Sequence, residues 1–227
     1  MIRTTGESEV NFTIRGWAPR ISVPIDNRRA GRVPAIGAGS APATPGRAPR
    51  YDHLMHDVNE ITAEALKTLL NLDPHPREGG WFRQTWKSDE TIPAGALPNR
   101  YSGDRAAGTA IYYLLEPESF SEMHMLASDE VFHFYLGDPV EMLQLWPDGA
   151  GSRVVLGQDI AAGHHLQTVV PQGVWQGTRL IDSGRFALLG CTVSPGFDYA
   201  DYASGRRDDL TRRWPAWAQM IARLTRQ

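Results

Sequence analysis

Within SEMHMLASDEVFHFYLG, residues 121–137, a histidine stands six places before a glutamate and a glycine follows seven places later: His124, Glu130 and Gly137. An imidazole and a carboxylate at this spacing suit either a metal site or a proton-transfer pair. Catalytic zinc and iron sites generally need three protein donors, and further donors are scarce here. His133 follows Glu130 by three residues, so strand alternation turns it to the opposite face. His164 and His165 are adjacent and diverge for the same reason. His124 and Glu130 alone would hold a metal loosely. Among apolar neighbours such as Phe132, Phe134 and Trp175, the same pair would have shifted acidities, which is how a general acid–base pair is made. Buried His124 can also simply satisfy a backbone group, whereas a carboxylate in an apolar strand needs a partner.

A second cluster lies upstream, in HPREGGWF at 75–82. Gly79 and Gly80 suit an unusual backbone turn. His75 and Glu78 either brace that turn or, with Phe82, form a pocket rim touching substrate; both readings stand. Gln167, Gln176 and Trp175 are further candidates for substrate contact. Glutamines are more often structural amides than ligands, and Trp175 reads as a packing residue whose ring also forms a pocket wall.

Short strands must position these residues. GTAIYYLL, EVFHFYLG, VEMLQLW, SRVVLG, HLQTVV and RFALLGCTV are rich in β-branched and aromatic residues and are separated by Gly, Pro and Asp turns. PDGAGS has the composition of a hairpin loop. Nothing alternates with long helices, so the expected fold is all-β: an antiparallel jelly-roll barrel. A helix is predicted over 62–71, with Thr62 as its N-cap and Ile61, Leu66, Leu69 and Leu70 on its apolar face. Near the other end Leu210, Trp214, Trp217, Ile221 and Leu224 mark one helical face, which Pro215 divides into two short helices.

Composition narrows the function classes. The 227 residues suit one domain with a large core. Residues 1–50 hold eight arginines against three acids, while the remainder carries 15 basic and 23 acidic residues. The Gly-, Pro- and Arg-rich segment 1–54 reads as a disordered basic tail, with the folded domain over 55–227. Because the tail lacks interleaved aromatics and the domain is acidic, no nucleic-acid partner is expected. No apolar run approaches the roughly 18 residues of a membrane span, and no signal-peptide h-region is visible. One cysteine, Cys191, excludes an internal disulfide and reads as a core residue. The expected location is cytoplasmic. Phosphate-loop and dinucleotide motifs are absent.

The spacing His124, Glu130, Gly137 resembles the first motif of the cupin superfamily, and GHHLQTVVPQGVWQ resembles the second, with Pro171 and Gly173 in its Pro-x-Gly element. HPREGGWF, TAIYYLL, SDEVFHFYLG, VVPQGVWQG and GCTVSPGF, in that order over residues 58–225, are similar to the cupin-5 family of small cupins of unknown function. The resemblance implies a double-stranded β-helix, a homodimer, and a pocket in the barrel mouth for a small-molecule ligand. It also implies metal-ligand positions at His124, Leu126, Glu130 and Gln176. A hydrocarbon and an amide stand at two of the four, so no metal or other cofactor is expected. A divalent metal on His124, Glu130 and Gln176 is the alternative.

Three function classes follow. The first is a metal-independent isomerase or epimerase acting on a small polar carbonyl compound such as a modified sugar. Similarity to metal-free deoxy-sugar epimerases would make His124 the base, Glu130 its relay partner, and Tyr113 the acid in preference to Tyr135. The others are a non-catalytic binding barrel and a metal-dependent cupin oxygenase, isomerase or decarboxylase with a reduced ligand set.

Overall fold

A computed structural model describes residues 61–226. The tail assigned to residues 1–54 and the domain start at 55 fall outside them. Thr62 Oγ1 accepts from the Ala65 amide at 3.2 Å, which starts helix α1 (Ala63–Leu70), and Asn71 ends it in the left-handed conformation.

The strands follow in chain order: β1 (Asp73–Pro74), β2 (Trp81–Lys87), β3 (Thr91–Ile92), β4 (Arg105–Ala106), β5 (Thr109–Leu115), β6 (Phe120–Leu126), β7 (Asp129–Gly137), β8 (Val140–Leu145), β9 (Gly151–Leu156), β10 (Gln167–Val170), β11 (Trp175–Leu180), β12 (Ala187–Ser194) and β13 (Tyr202–Ser204). Helices α2 (Arg207–Arg213) and α3 (Ala218–Arg223) close the described chain, separated by Pro215 in a 3-10 turn, so the expected pair of short helices is present.

Two antiparallel sheets face each other. One runs β1-β2-β5-β12-β7-β10 and the other β13-β6-β11-β8-β9, with β3 and β4 as a separate ribbon. Each strand turns alternate residues inward. Tyr113 and Leu115 from β5, Phe132 and Phe134 from β7, Met142 from β8, Leu180 from β11, and Leu189 and Cys191 from β12 meet between the sheets as one core. This is the jelly-roll barrel expected from the sequence. The segment WPDGA turns β8 into β9, and Trp146 and Ala150 pair across the turn.

The outer faces are covered differently. Leu66 and Leu72, in and just after α1, pack on Leu114, Phe186 and Leu188 outside the first sheet. Leu210, Trp214, Ile221 and Leu224 of the C-terminal helices pack on Met123, Leu143 and Leu145 outside the second. Among the described residues no helix is long and apolar enough to cross a membrane.

Candidate functional site

The loop carrying Glu78 is held by its own neighbours. His75 Nδ1 accepts the Glu78 amide at 2.9 Å, so the ring proton sits on Nε2. Gly79 and Gly80 both have positive φ, and a Cβ on Gly80 would stand 2.7 Å from the Leu114 carbonyl oxygen. The double glycine therefore lets the loop lie against β5 and turn Glu78 toward the barrel. There Ser121 Oγ donates to Glu78 Oε2 at 3.2 Å.

His124 reaches the interior through an irregularity. Gln176 of β11 pairs with His124, but Thr178 pairs with Ser121, so β6 carries one residue more than its partner. The bulge at Glu122 and Met123 sends Ser121 and His124 to one side although three positions separate them. Met123 points outward into the helix-covered cluster. Gly177 faces the bulge, where a Cβ would meet Met123 Sδ at 2.8 Å. His124 Nδ1 donates to the Glu122 carbonyl at 2.7 Å, and Tyr202 stacks on the imidazole at 5.1 Å. The Tyr202 hydroxyl in turn donates to Glu122 Oε1 at 2.9 Å.

The other ring nitrogen, His124 Nε2, stands 3.9 Å from Glu78 Oε1 and 3.9 Å from Glu130 Oε2. The Gln176 amide nitrogen donates to Glu130 Oε2 and lies 3.2 Å from His124 Nε2. Those amide contacts suit a neutral imidazole, whereas the two carboxylates favour the cation. Burial is the largest influence and lowers the His124 pKa, but Glu78 and then Glu130 outweigh it and raise the group to about 9. The carboxylates decide the matter, because charge attraction in a water-poor site exceeds one amide contact worth about 1 kcal/mol. Gln176 Oε1, buried without a partner, can turn to accept the Nε2 proton, giving up the bond to Glu130. Burial pushes the Glu78 carboxyl above the usual carboxylate range; His124 resists that push and Glu130 adds to it. His75 moves the other way, to about 4, through burial and then the nearby positive charges of His124 and Arg226.

A cavity of ≈ 310 Å³ opens beside these groups. His75, Glu78, Phe82 and Glu130 line it, as does Cys191, whose thiol burial pushes well above its ordinary range. Its remaining wall contains Gln84, Thr109, Ile111, Val193, Phe197 and Tyr199. Of these, Thr109, Ile111, Val193 and Phe197 lie in stretches quoted for the family resemblance. Tyr199 and Tyr202 carried no periodic signal, because they follow β12 in an irregular segment. Ser121 lies in β6, a stretch not among the strands expected from the sequence.

Several sequence candidates are placed elsewhere. His124, Gln176 and Phe132 are buried inside the barrel but do not line the cavity. The Tyr113 hydroxyl donates to the Gly79 carbonyl at 2.8 Å, and burial raises its pKa well above the ordinary value, so it is a brace for the glycine turn. Tyr135, 45% exposed, lies outside β7 with His133, as parity required. Gln167 pairs opposite His133 on that outer face and makes a 3.1 Å contact with its Nδ1, so it does not line the cavity. Trp175 alternates with inward Gln176 and packs beneath the C-terminal helices, so its ring forms no cavity wall.

Among the described residues, 64–204 match the family model for Cupin_5, cupin superfamily (DUF985). The chain is a Cupin_5 protein. It is 31% identical over 156 residues to the uncharacterized protein YML079W of Saccharomyces cerevisiae, covering 64% of this chain and 77% of that protein. A hypothetical protein from Leishmania major is similar in structure, with TM-score 0.67 and 31% identity over 74% of this chain and all of that one. Protein SO0799 from Shewanella oneidensis gives TM-score 0.65 and 30% identity over 73% and 98% of the two chains.

The metal implied by wider cupin resemblance finds a poor donor set in this Cupin_5 chain. Leu126 offers no lone pair, and Gln176 turns an amide N–H toward Glu130 and His124. Among the described residues no three His, Cys, Asp or Glu side chains are grouped to hold an ion. The four positions carried over from that resemblance do not fit the group.

Proposed function

We propose that this Cupin_5 protein is a metal-independent acid–base enzyme of isomerase or epimerase type, acting on a small polar carbonyl compound such as a modified sugar. The observation that carries this reading is the pair of cavity-lining carboxylates, Glu78 and Glu130, each 3.9 Å from His124 Nε2. The role of base passes from His124 to Glu78, because Glu78 faces the cavity and His124 stands behind it. A carboxyl whose acidity burial has weakened is a better match for a proton beside a carbonyl. Glu78 takes that proton, and neutral His75, with its proton on Nε2, donates to the developing oxyanion. His124 remains in place as the counter-charge. Glu78 returns the proton to carbon, so no net proton is gained or lost.

A second reading, the non-catalytic binding barrel, draws support from Tyr113, whose hydroxyl is committed to Gly79 and is not free to act as the acid. One experiment separates the two. Deuterium uptake from solvent is measured on a panel of keto-sugars, with wild type and Glu78→Gln compared. The expected result is uptake by wild type that falls about 10²- to 10⁴-fold in the variant. Equal background rates with saturable binding would support the barrel alone. Stoichiometric metal in protein purified without a chelator would overturn the metal-independent reading. The homodimer and the small-molecule ligand are carried into this proposal on the family resemblance.

A further inference from the structure

The cavity is unbalanced in charge. Glu78 and Glu130 face it, while no lysine or arginine is among its lining residues. His75 contributes a neutral ring there, since burial and His124 keep it uncharged above a pH of about 4. His124 stands 3.9 Å from each carboxylate, beyond a hydrogen bond, and does not line the cavity. Arg77 lies over the Tyr199 ring at 4.9 Å, and Arg226 pairs with Glu122; neither forms an ion pair with Glu78 or Glu130 among the described residues.

The carboxylates also have acceptor capacity to spare. Glu78 receives one side-chain donor, Ser121 at 3.2 Å on Oε2, and the nearest groups to Oε1 are His75 Nε2 at 3.8 Å and His124 Nε2 at 3.9 Å. A carboxylate can accept about four hydrogen bonds. Glu130, more than nine-tenths buried, receives the Gln176 amide and the weak donor of the Cys191 thiol. Three aromatic rings, Phe82, Phe197 and Tyr199, stand in the same wall with Ile111 and Val193. The faces of such rings attract cations and repel anions.

We propose that this cavity recognises a small organic cation, a primary ammonium seated against Glu78 and Glu130 with its hydrocarbon skeleton on Phe82, Phe197 and Tyr199. The inference names the charge class of the substrate and rests on the proposed function only in taking this cavity as the ligand site. An anionic ligand would add a third negative charge to a site lined by no lysine or arginine. A neutral alcohol would use the carboxylates as acceptors but leave one of their two negative charges unmatched, since His124 supplies a single positive charge. An ammonium supplies three donors and the missing charge together. Its positive charge also offsets the burial that weakens Glu78 acidity, so binding draws that carboxyl toward its ionised form.

The test uses one ring with three head groups: cyclohexylammonium, cyclohexanol and cyclohexanecarboxylate, titrated at pH 7 into the full-length protein. The methyl signal of Ile111, a lining residue, reports occupancy by NMR. Cyclohexylammonium is expected to bind saturably with a Kd at least about ten-fold below that of cyclohexanol, a difference on the scale of one added charge contact. Cyclohexanecarboxylate is expected to give no saturable shift. Glu130→Gln and Glu78→Gln are expected to erase the ammonium preference, with saturable cyclohexanol binding retained as the report of intact apolar walls. If a variant fails to bind cyclohexanol, the wild-type series decides alone. Equal affinity for ammonium and alcohol, tighter binding of the carboxylate, or no saturable ammonium shift would each overturn the proposal. Deuterium uptake is a separate readout: an ammonium preference without uptake removes the proton-transfer reading and leaves this one standing.

Discussion

His75 and His124 begin from the same intrinsic basicity and are driven apart. His124 is raised to about 9 by Glu78 and Glu130 against the cost of burial, and His75 is lowered to about 4 by burial and by His124 itself. The two shifts act on stability with opposite signs. The His124 contribution is complete below its unfolded value near 6.5 and is lost as pH rises through about 9. It amounts to something on the order of 3 kcal/mol, since each pKa unit is worth about 1.4 kcal/mol. The His75 contribution is complete above 6.5 and is lost as pH falls toward 4, because the unfolded ring binds a proton that the folded one refuses. Urea unfolding of wild type between pH 4 and 9.5 is therefore expected to show decline on both sides of 6.5. The His124→Gln variant should flatten the alkaline side and soften the acid side, where the part of the His75 shift due to burial remains; an unchanged alkaline decline would contradict the charge assigned to His124. His124 and Glu130 stood out as a pair in the sequence because their spacing, with Gly137, resembles the first cupin motif. Glu78, which faces the cavity, was less legible because its role depends on a turn packing against strands distant in sequence.

At the level of single elements, alternation was a reliable guide where a strand was regular. In β7 it placed Glu130 and Phe132 inward and His133 and Tyr135 outward, as found. It failed at β6, where the bulge brings Ser121 and His124 to one side. It also could not tell which sheet face Gln167 and Trp175 would meet, since a strand's two faces acquire meaning only from the layer packed on each. The bulge depends on Gly177, whose missing side chain leaves room for Met123. Gly177→Ala is expected to cost about 1–3 kcal/mol through crowding against the bulge and to displace His124 from Glu130. Thermal unfolding measures the cost. Loss of the alkaline stability decline would register the displacement, and retention of both stability and pH profile would show that the bulge tolerates a methyl group.

For the molecule as a whole, the C-terminal helices behave as part of the core. The family match ends at residue 204, before α2 begins, yet Ile221 and Leu224 are fully buried against Met123, Leu143 and Leu145 of the second sheet. Arg207 at the start of α2 reaches back to Thr225 through Oγ1 at 2.9 Å and the carbonyl at 2.6 Å, which locks the helical cap closed. Removing buried aliphatic side chains at such positions costs about 2–5 kcal/mol. Ile221→Ala is accordingly expected to lower stability by that amount in urea unfolding, with the Ile111 methyl still reporting ligand in the folded fraction. A change under 1 kcal/mol would mean that the helices are only peripheral.

The sequence alone determined the all-β class, the barrel, the short terminal helices and the proximity of His124 to Glu130. The class, the barrel and the helices follow from local propensity, period-two patterning and turn chemistry, which act over a few residues, and the His124–Glu130 proximity from the spacing that resembles the first cupin motif. Only the tertiary structure decided that Glu78 joins them, that Tyr113 braces a turn, and that Gln167 and Trp175 lie outside the cavity. These outcomes depend on which strand pairs with which, where one extra residue is accommodated, and what covers each face of a sheet. Contacts of that kind join residues far apart in the chain, and no local pattern encodes them.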